Sequence, residues 1–206
     1  MDGRVTKVKF CGITNIEDAE YASYLGVDAI GFVFANSKRM IEPEMAKKII
    51  NNLPPFIITV GVFNNDSFEK ITEIVKHTGV DMIQLHGDES PEFCNKVKFS
   101  TGKKIIKRIK ISDKTRKEKL MSKVREYSNF HILFDPGAGN GKSFDWRILK
   151  DFDFPYIVAG GLTPKNVGEL ISTIKPYAVD VSSGIEKQVG KKDFVKMENF
   201  IKEVKG

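Results

Sequence analysis

Cysteine, histidine and tryptophan are scarce in this chain, and it has no long apolar run. The two cysteines, Cys11 and Cys94, stand far apart, which gives no reason to expect a disulfide. Three histidines at unrelated spacings argue against a zinc site, so we expect no metal. No segment reaches the roughly 18 uninterrupted apolar residues of a membrane helix, and the polar N-terminus does not resemble a signal peptide. We therefore expect a cytoplasmic protein without a membrane partner.

The rest of the composition is that of an ordinary globular protein, with 41% apolar and 29% charged residues. A length of 206 residues suits one domain, and no linker divides it, so we predict a single domain over 1–206. The net charge of +6 permits binding of nucleic acid or of small anions. The most basic stretch, 103–125, also carries acidic residues and is typical of a strand followed by a solvated helix. We therefore predict a small-molecule partner and no nucleic acid.

Apolar, β-branched runs alternate with stretches of helical periodicity along the whole chain. The runs are RVTKVKFCG, VDAIGFVF, PFIITVGVF, VDMIQLHG, KKIIKRIK, FHILFDPG, PYIVAGG and YAVDVSSG. The helical stretches are 15–25, 43–52, 66–78, 90–100, 113–127, 145–150, 164–175 and 191–204. This alternation indicates a parallel sheet with crossover helices.

Eight βα units predict a closed, single-domain (β/α)8 TIM barrel with eight parallel strands. The alternative is a doubly wound open sheet, which more often has five or six strands and carries G-x-G-x-x-G after the first. Here the first run is followed by Cys-Gly-Ile-Thr at 11–14. The barrel is therefore the favoured architecture.

Polar residues and glycines gather at the C-terminal ends of the apolar runs, the ends that form the active face of such barrels. Cys11 ends the first run, either as a small buried hydrophobe or as a thiol facing a site. Asp135 ends an apolar run, where a buried carboxylate needs partners or a raised pKa; the alternative is a cap for the next loop. That loop, 136–143, is glycine-rich and suits a lid. Asp145 is predicted to cap the helix that follows.

The last two units carry a phosphate-binding pattern. Gly160 and Gly161 allow backbone N–H groups to approach a ligand closely. Ser183 and Gly184 lie in a segment that can form one short helical turn, and barrels often hold phosphate between the loops after strands 7 and 8. The alternative is a pair of tight turns that need glycine.

Three further polar residues at this end allow two interpretations each. Arg39 can bind a carboxylate or phosphate with two parallel hydrogen bonds, or can be a solvated loop residue. His86 is a structural or a functional histidine. Asp180 faces a ligand or pairs with a charge beneath the loop.

The motifs KFCGIT, GFVF…SKRMI, VGVF, QLHG, FD…GNGKSFDW, AGGLTPKNV and VDVSSGIE…GKKDF together resemble those of phosphoribosylanthranilate isomerase, an enzyme family of tryptophan biosynthesis. The resemblance extends from about residue 7 to residue 194. One departure lies in the predicted lid, where Ala138 stands in a place often occupied by glycine.

The resemblance implies an Amadori rearrangement of N-(5-phosphoribosyl)anthranilate to 1-(2-carboxyphenylamino)-1-deoxyribulose 5-phosphate, with no metal or organic cofactor. Asp135, at the matching position, is then the general acid that opens the ribose ring. Cys11 is the general base that removes the C2 proton.

The same resemblance implies binding roles for the other residues. Arg39 holds the anthranilate carboxylate, and Gly160, Gly161, Ser183 and Gly184 bind the phosphate. Asp180 contacts a ribose hydroxyl, with a buried ion pair as the alternative, and His86 is a further candidate for substrate binding. A monomer or a homodimer is expected.

Two other functions compete with this interpretation. A related barrel isomerase acting on another sugar phosphate would favour an aspartate base on the first strand, and Cys11 argues against it. A barrel that has lost activity and binds RNA or a protein partner would not need Cys11, Asp135 and Arg39 together.

Overall fold

Eight parallel strands close into a barrel, which confirms the predicted TIM-barrel fold. The structure is a computed structural model and describes residues 5–137 and 144–206. The barrel closes where β1 pairs with β8. Its strands are β1 (Lys7–Cys11), β2 (Ala29–Val33), β3 (Ile58–Phe63), β4 (Met82–Leu85), β5 (Lys104–Lys110), β6 (His131–Asp135), β7 (Tyr156–Ala159) and β8 (Ala178–Val181).

Seven α-helices surround the barrel in the part of the chain that the structure describes. They are α1 (Ile16–Tyr24), α2 (Pro43–Asn52), α3 (Phe68–Thr78), α4 (Pro91–Thr101), α5 (Lys117–Glu126), α6 (Val167–Ile174) and α7 (Phe194–Lys205). None of the described helices has the length and hydrophobicity needed to cross a membrane. Serine and glycine mark several helix ends: Ser67 and Ser90 accept hydrogen bonds from the first turns of α3 and α4, and Gly79 and Gly102 end these helices in the left-handed conformation.

The helix predicted over 145–150 is instead a single 3₁₀ turn, Trp146–Leu149. Asp145 caps this turn as predicted, because its side chain accepts a hydrogen bond from the backbone N–H of Arg147. The turn stops early because Asp151 adopts a left-handed backbone conformation, with φ of 71°, and directs the chain back toward β7.

A two-stranded hairpin, β9 (Glu186–Gln188) and β10 (Lys191–Lys192), lies between β8 and α7. The sequence interpretation had assigned residues from 191 onward to a helix, but α7 begins only at Phe194. Ala138 and residues 138–143 of the predicted lid lie outside the described residues.

The barrel interior and its outer layer are filled by alternate residues of the same strands. Most buried apolar residues pack between the strands and the helices. A small inner cluster consists of Val60, Ile106, Leu133 and Ala159. Because side chains alternate along a strand, the residues two positions further along β5 and β6, Arg108 and Asp135, face the barrel axis nearer its C-terminal mouth.

Candidate active site

A cavity of about 600 Å³ opens at the C-terminal mouth of the barrel. It brings together eight of the nine predicted site residues, namely Cys11, Arg39, His86, Asp135, Gly160, Gly161, Asp180 and Ser183. Gly184 is not part of the cavity wall. It packs against the loop after β7, where a Cβ atom on Gly184 would lie 1.8 Å from the carbonyl oxygen of Leu162.

Cys11 is buried next to a buried ion pair. The Nζ atom of Lys9 donates to both carboxylate oxygens of Asp180, at 2.9 and 3.0 Å. Cys11 Sγ and Lys9 Nζ lie 2.9 and 3.0 Å from the point that a Cβ atom on Gly31 would occupy, so both occupy the space that this glycine leaves free. Burial raises the pKa of the Cys11 thiol, and the Lys9 ammonium only partly offsets this effect. In the free enzyme Cys11 is therefore mainly a thiol.

Asp135 ends β6 with its carboxylate toward the same cavity. Its Oδ1 atom accepts a hydrogen bond from the backbone N–H of Gly137. Burial raises the pKa of Asp135, although the Gly137 N–H and the Arg108 guanidinium act in the opposite direction. Desolvation is thus the effect that favours a protonated, proton-donating carboxyl group here.

His86 is held neutral in the cavity wall. Burial, followed by the Arg108 cation, lowers the pKa of His86 to about 4. The Gln84 Nε2 and His86 Nδ1 atoms are 3.0 Å apart. With the Gln84 amide as donor, Nδ1 is the acceptor and the ring proton resides on Nε2. That Nε2 atom lies 3.8 Å from Oδ2 of Asp135.

Arg39 does not stand free in the cavity, because it pairs with Glu186 of the β9–β10 hairpin. Arg39 Nε is 2.7 Å from Glu186 Oε1, and Nη2 is 2.8 Å from Oε2, so the pair is bidentate. Lys192 Nζ joins the same carboxylate at 3.2 Å and also donates to the Cys11 carbonyl oxygen at 2.7 Å. The network ties the end of β1 to the β2 loop and the hairpin.

The loops after β7 and β8, which carry the predicted phosphate-binding residues, lie against each other. Gly160 and Gly161 have φ of 93° and 66°, which L-residues with a Cβ rarely adopt. Ser183–Ile185 forms the short 3₁₀ turn expected after β8. The hydroxyl oxygen of Ser182, beside this turn, is buried without a hydrogen-bond partner among the described residues.

The sequence interpretation included Gln84 among the strand-end residues but missed the roles of four other polar residues that shape the site: Lys9, Arg108, Glu186 and Lys192. Two of these four could have been found from strand periodicity. Lys9 precedes Cys11 by two residues, and Arg108 lies on the inner face of β5. The remaining two lie on a hairpin that the sequence pattern did not indicate.

Comparisons with known proteins identify the family. The family profile described as N-(5'phosphoribosyl)anthranilate (PRA) isomerase matches residues 8–203. The N-(5'-phosphoribosyl)anthranilate isomerase of Thermotoga neapolitana is 43% identical over 98% of this chain and 100% of its own length. The chain belongs to the N-(5'-phosphoribosyl)anthranilate isomerase family. The family resemblance seen in the sequence is thereby confirmed.

Solved structures of the same family share the fold closely. The phosphoribosyl anthranilate isomerase from Thermotoga maritima superposes with a TM-score of 0.89 at 42% identity, covering 98% of this chain and 99% of that one. A second phosphoribosyl anthranilate isomerase was solved with reduced 1-(o-carboxyphenylamino)-1-deoxyribulose 5-phosphate, and matches with a TM-score of 0.87 at 41% identity over 98% of this chain and 99% of that one. The enzyme is thus an intramolecular isomerase of tryptophan biosynthesis.

Proposed function

We propose that Cys11 and Asp135 are the general base and general acid for the rearrangement of N-(5-phosphoribosyl)anthranilate. The observation that supports this assignment is that Cys11 and Asp135 are the last residues of β1 and β6 and line the same cavity. Asp135 gives its proton to the ribose ring oxygen as the bond from that oxygen to C1 breaks, which leaves an open-chain Schiff base. The Cys11 thiolate then takes the C2 proton, and the resulting enolamine tautomerises to the ketone.

The two groups must hold one proton between them in a particular arrangement, with Asp135 protonated and Cys11 ionised. Burial raises the pKa of both groups. A raised pKa favours the acid form of Asp135 but disfavours the thiolate. Lys9 is the neighbouring cation that favours the thiolate. Lys9 therefore acts in the mechanism through Cys11, by lowering the pKa of the thiol, and not by touching the substrate.

The phosphate and ribose contacts rest on the loops after β7 and β8. Gly160, Gly161 and Ser183 line the cavity there, and Gly184 allows the two loops to approach. Asp180 uses both oxygens to bind Lys9, which supports the ion-pair interpretation of this residue. Its remaining lone pairs can still accept a hydrogen bond from a ribose hydroxyl.

The anthranilate carboxylate is assigned to Arg39, whose Nη1 group keeps its donors while the Nε and Nη2 groups bind Glu186. Neutral His86 contributes an Nε2–H donor to the same cavity. The partner is accordingly a phosphorylated small molecule.

The oligomeric state, a monomer or a homodimer, stays a prediction. Light scattering during size-exclusion chromatography measures it.

The test is turnover of freshly generated phosphoribosylanthranilate, followed by the loss of anthranilate fluorescence. Cys11→Ala and Asp135→Asn should each lower kcat by about 10²- to 10⁴-fold, the usual contribution of a general acid or base. Cys94→Ala is the matched control, because Cys94 is also buried but lies in α4 outside the cavity. Unchanged turnover in folded Cys11→Ala would keep the reaction and reject the thiolate base.

A further inference from the structure

Arg108 is a cationic side chain of the cavity without a partner in the described part of the chain. It projects from the inner face of β5 and lines the cavity together with Cys11 and Asp135. Its Nε atom is fully buried and has no hydrogen-bond partner there. A buried donor without a partner is costly, and a charged one more so, unless a ligand supplies the missing acceptor.

The other buried or half-buried cations around the cavity pair with carboxylates within 3.2 Å. Lys9 pairs with Asp180, whereas Arg39 and Lys192 share Glu186. No described residue forms a comparable ion pair with Arg108. The site therefore presents one unbalanced guanidinium to its ligand.

The position of Arg108 around the barrel indicates which ligand group it meets. The phosphate loops follow β7 and β8, and the strands diametrically opposite in the closed order are β3 and β4. Arg39 follows β2 and Arg108 lies on β5, so the two arginines flank that opposite side symmetrically. A substrate whose phosphate is bound by the loops after β7 and β8 would extend its aromatic ring toward this opposite side, between the two arginines.

We infer that Arg108 also binds the carboxylate of the substrate's aromatic ring, on the opposite side of that carboxylate group from Arg39. The inference rests on the proposed substrate and adds a second carboxylate-binding residue to it. A carboxylate is the fitting ligand because the Nε and Nη groups of arginine form an edge that donates two parallel hydrogen bonds. In Arg39 the corresponding edge is occupied by Glu186, whereas in Arg108 the Nε–H is unpaired among the described residues.

A different role for Arg108 is to act only on Asp135. Its Nη2 atom lies 3.2 Å from the point that a Cβ atom on Gly137 would occupy, beside the turn that holds the Asp135 carboxylate. In that case Arg108 would influence proton transfer and not the recognition of the ring. The two roles differ in whether the ligand's carboxyl group matters.

The experiment compares two product analogues that differ only in that group. One is the reduced product, 1-(2-carboxyphenylamino)-1-deoxyribitol 5-phosphate, and the other is its anilino counterpart without the carboxyl group. Dissociation constants are measured by fluorescence or calorimetry. The wild type should bind the carboxylated analogue more tightly, and Arg108→Met should lose roughly 10- to 100-fold of this preference, as expected for hydrogen bonds to a charged group. Arg108→Lys should restore only part of it, because lysine lacks the planar fork.

Lys110→Met is the matched control, since it removes one positive charge from the same strand at an exposed residue that does not line the cavity. It should keep the full preference. A folded Arg108→Met that weakens both analogues equally, or keeps the wild-type preference, would overturn the inference. Failure of the wild type to bind either analogue would instead refute the proposed substrate.

Discussion

Lys9 and Asp180 form a buried ion pair that joins β1 to β8 just below Cys11. The Nζ–Oδ distances are 2.9 and 3.0 Å, and the side chains are 4% and 6% exposed. The two residues are also register partners at the closure of the barrel. The pair therefore links the closing strands to the proposed catalytic thiol.

Removing Lys9 alone should destabilise the protein strongly. Lys9→Met leaves Asp180 buried without its counter-charge, which typically costs about 3–5 kcal/mol in the free energy of unfolding. The double variant Lys9→Met/Asp180→Leu should recover most of this loss, because it removes both charges. Urea denaturation measures the three values. Lys7→Met is the control, since its pair with Asp28 is half exposed and should contribute at most about 1 kcal/mol. Equal losses in Lys9→Met and Lys7→Met would contradict the prediction.

The pH dependence of kcat/KM should also respond to Lys9. The proposed active form holds one proton, on Asp135 and not on Cys11. Activity should therefore rise with pH as the doubly protonated form loses a proton. It should fall at alkaline pH when the predominant one-proton form, which carries its proton on the thiol and exchanges with the active form, loses that proton. The value of kcat/KM on the plateau between these two limbs increases as the pKa of the thiol falls relative to that of Asp135, because a larger share of the one-proton enzyme is then in the active form.

Because the Lys9 ammonium lowers the pKa of Cys11, Lys9→Met should raise it further. The alkaline limb of the kcat/KM profile should move to higher pH and its plateau should fall. Circular dichroism at each pH should confirm that the variant stays folded, so that the change is not due to unfolding. The substrate phosphate titrates identically in both assays and does not affect the comparison. An alkaline limb that moves to lower pH, or does not move, would exclude Lys9 as the cation that stabilises the thiolate.

Residue patterning was sufficient to predict the barrel and most of the cavity wall. Strand and helix periodicity differ enough to reveal eight βα units, and the C-terminal ends of parallel strands necessarily meet at one mouth. Cys11, Asp135 and Gly160 therefore come together without any knowledge of long-range contacts. Their catalytic and binding roles came from the family resemblance and stay predictions.

The partners of these residues could not be predicted, because pairing depends on contacts between distant segments. The bidentate pair of Arg39 with Glu186 requires the β9–β10 hairpin to fold back over the β2 loop. Lys192, which looks like one more surface lysine in the sequence, is completely buried by the same hairpin. The 3₁₀ turn at Trp146–Leu149 was mistaken for a helix because one turn of either kind has nearly the same periodicity.

Gly184 should not tolerate a methyl group. The Cβ atom of Gly184→Ala would lie 1.8 Å from the Leu162 carbonyl oxygen, so the loops after β7 and β8 must separate. We expect a lower melting temperature and at least roughly tenfold weaker inhibition by inorganic phosphate, the loss that follows from one or two misplaced charge-assisted hydrogen bonds.

Gly26→Ala is the control for Gly184→Ala, because the Gly26 Cβ meets no atom within 4 Å and this position is remote from the cavity. It has a positive φ, so it reports backbone strain without a collision. Equal phosphate inhibition in both variants would show that the two loops do not form the phosphate site.

His86 should remain neutral throughout the pH range in which the enzyme works. Burial and the Arg108 cation lower its pKa to about 4, so its imidazole signals should titrate near pH 4 in an NMR experiment and show the Nε2–H tautomer above it. Arg108→Met removes the second-largest cause of the lowering and should move the midpoint upward, whereas burial should keep it below the ordinary value of about 6.5.

His131, at the start of β6, supplies the comparison for this titration. Its pKa is lowered mainly by partial burial, with smaller effects from Lys104 and Lys98. Its midpoint should not change in Arg108→Met, because Arg108 is not among the charges that act on it. A His86 midpoint near 6.5 in the wild type would mean that the cavity is well hydrated. The pKa of Asp135, which is raised by the same burial, would then fall toward its ordinary value, and the proposed acid would be ionised at neutral pH.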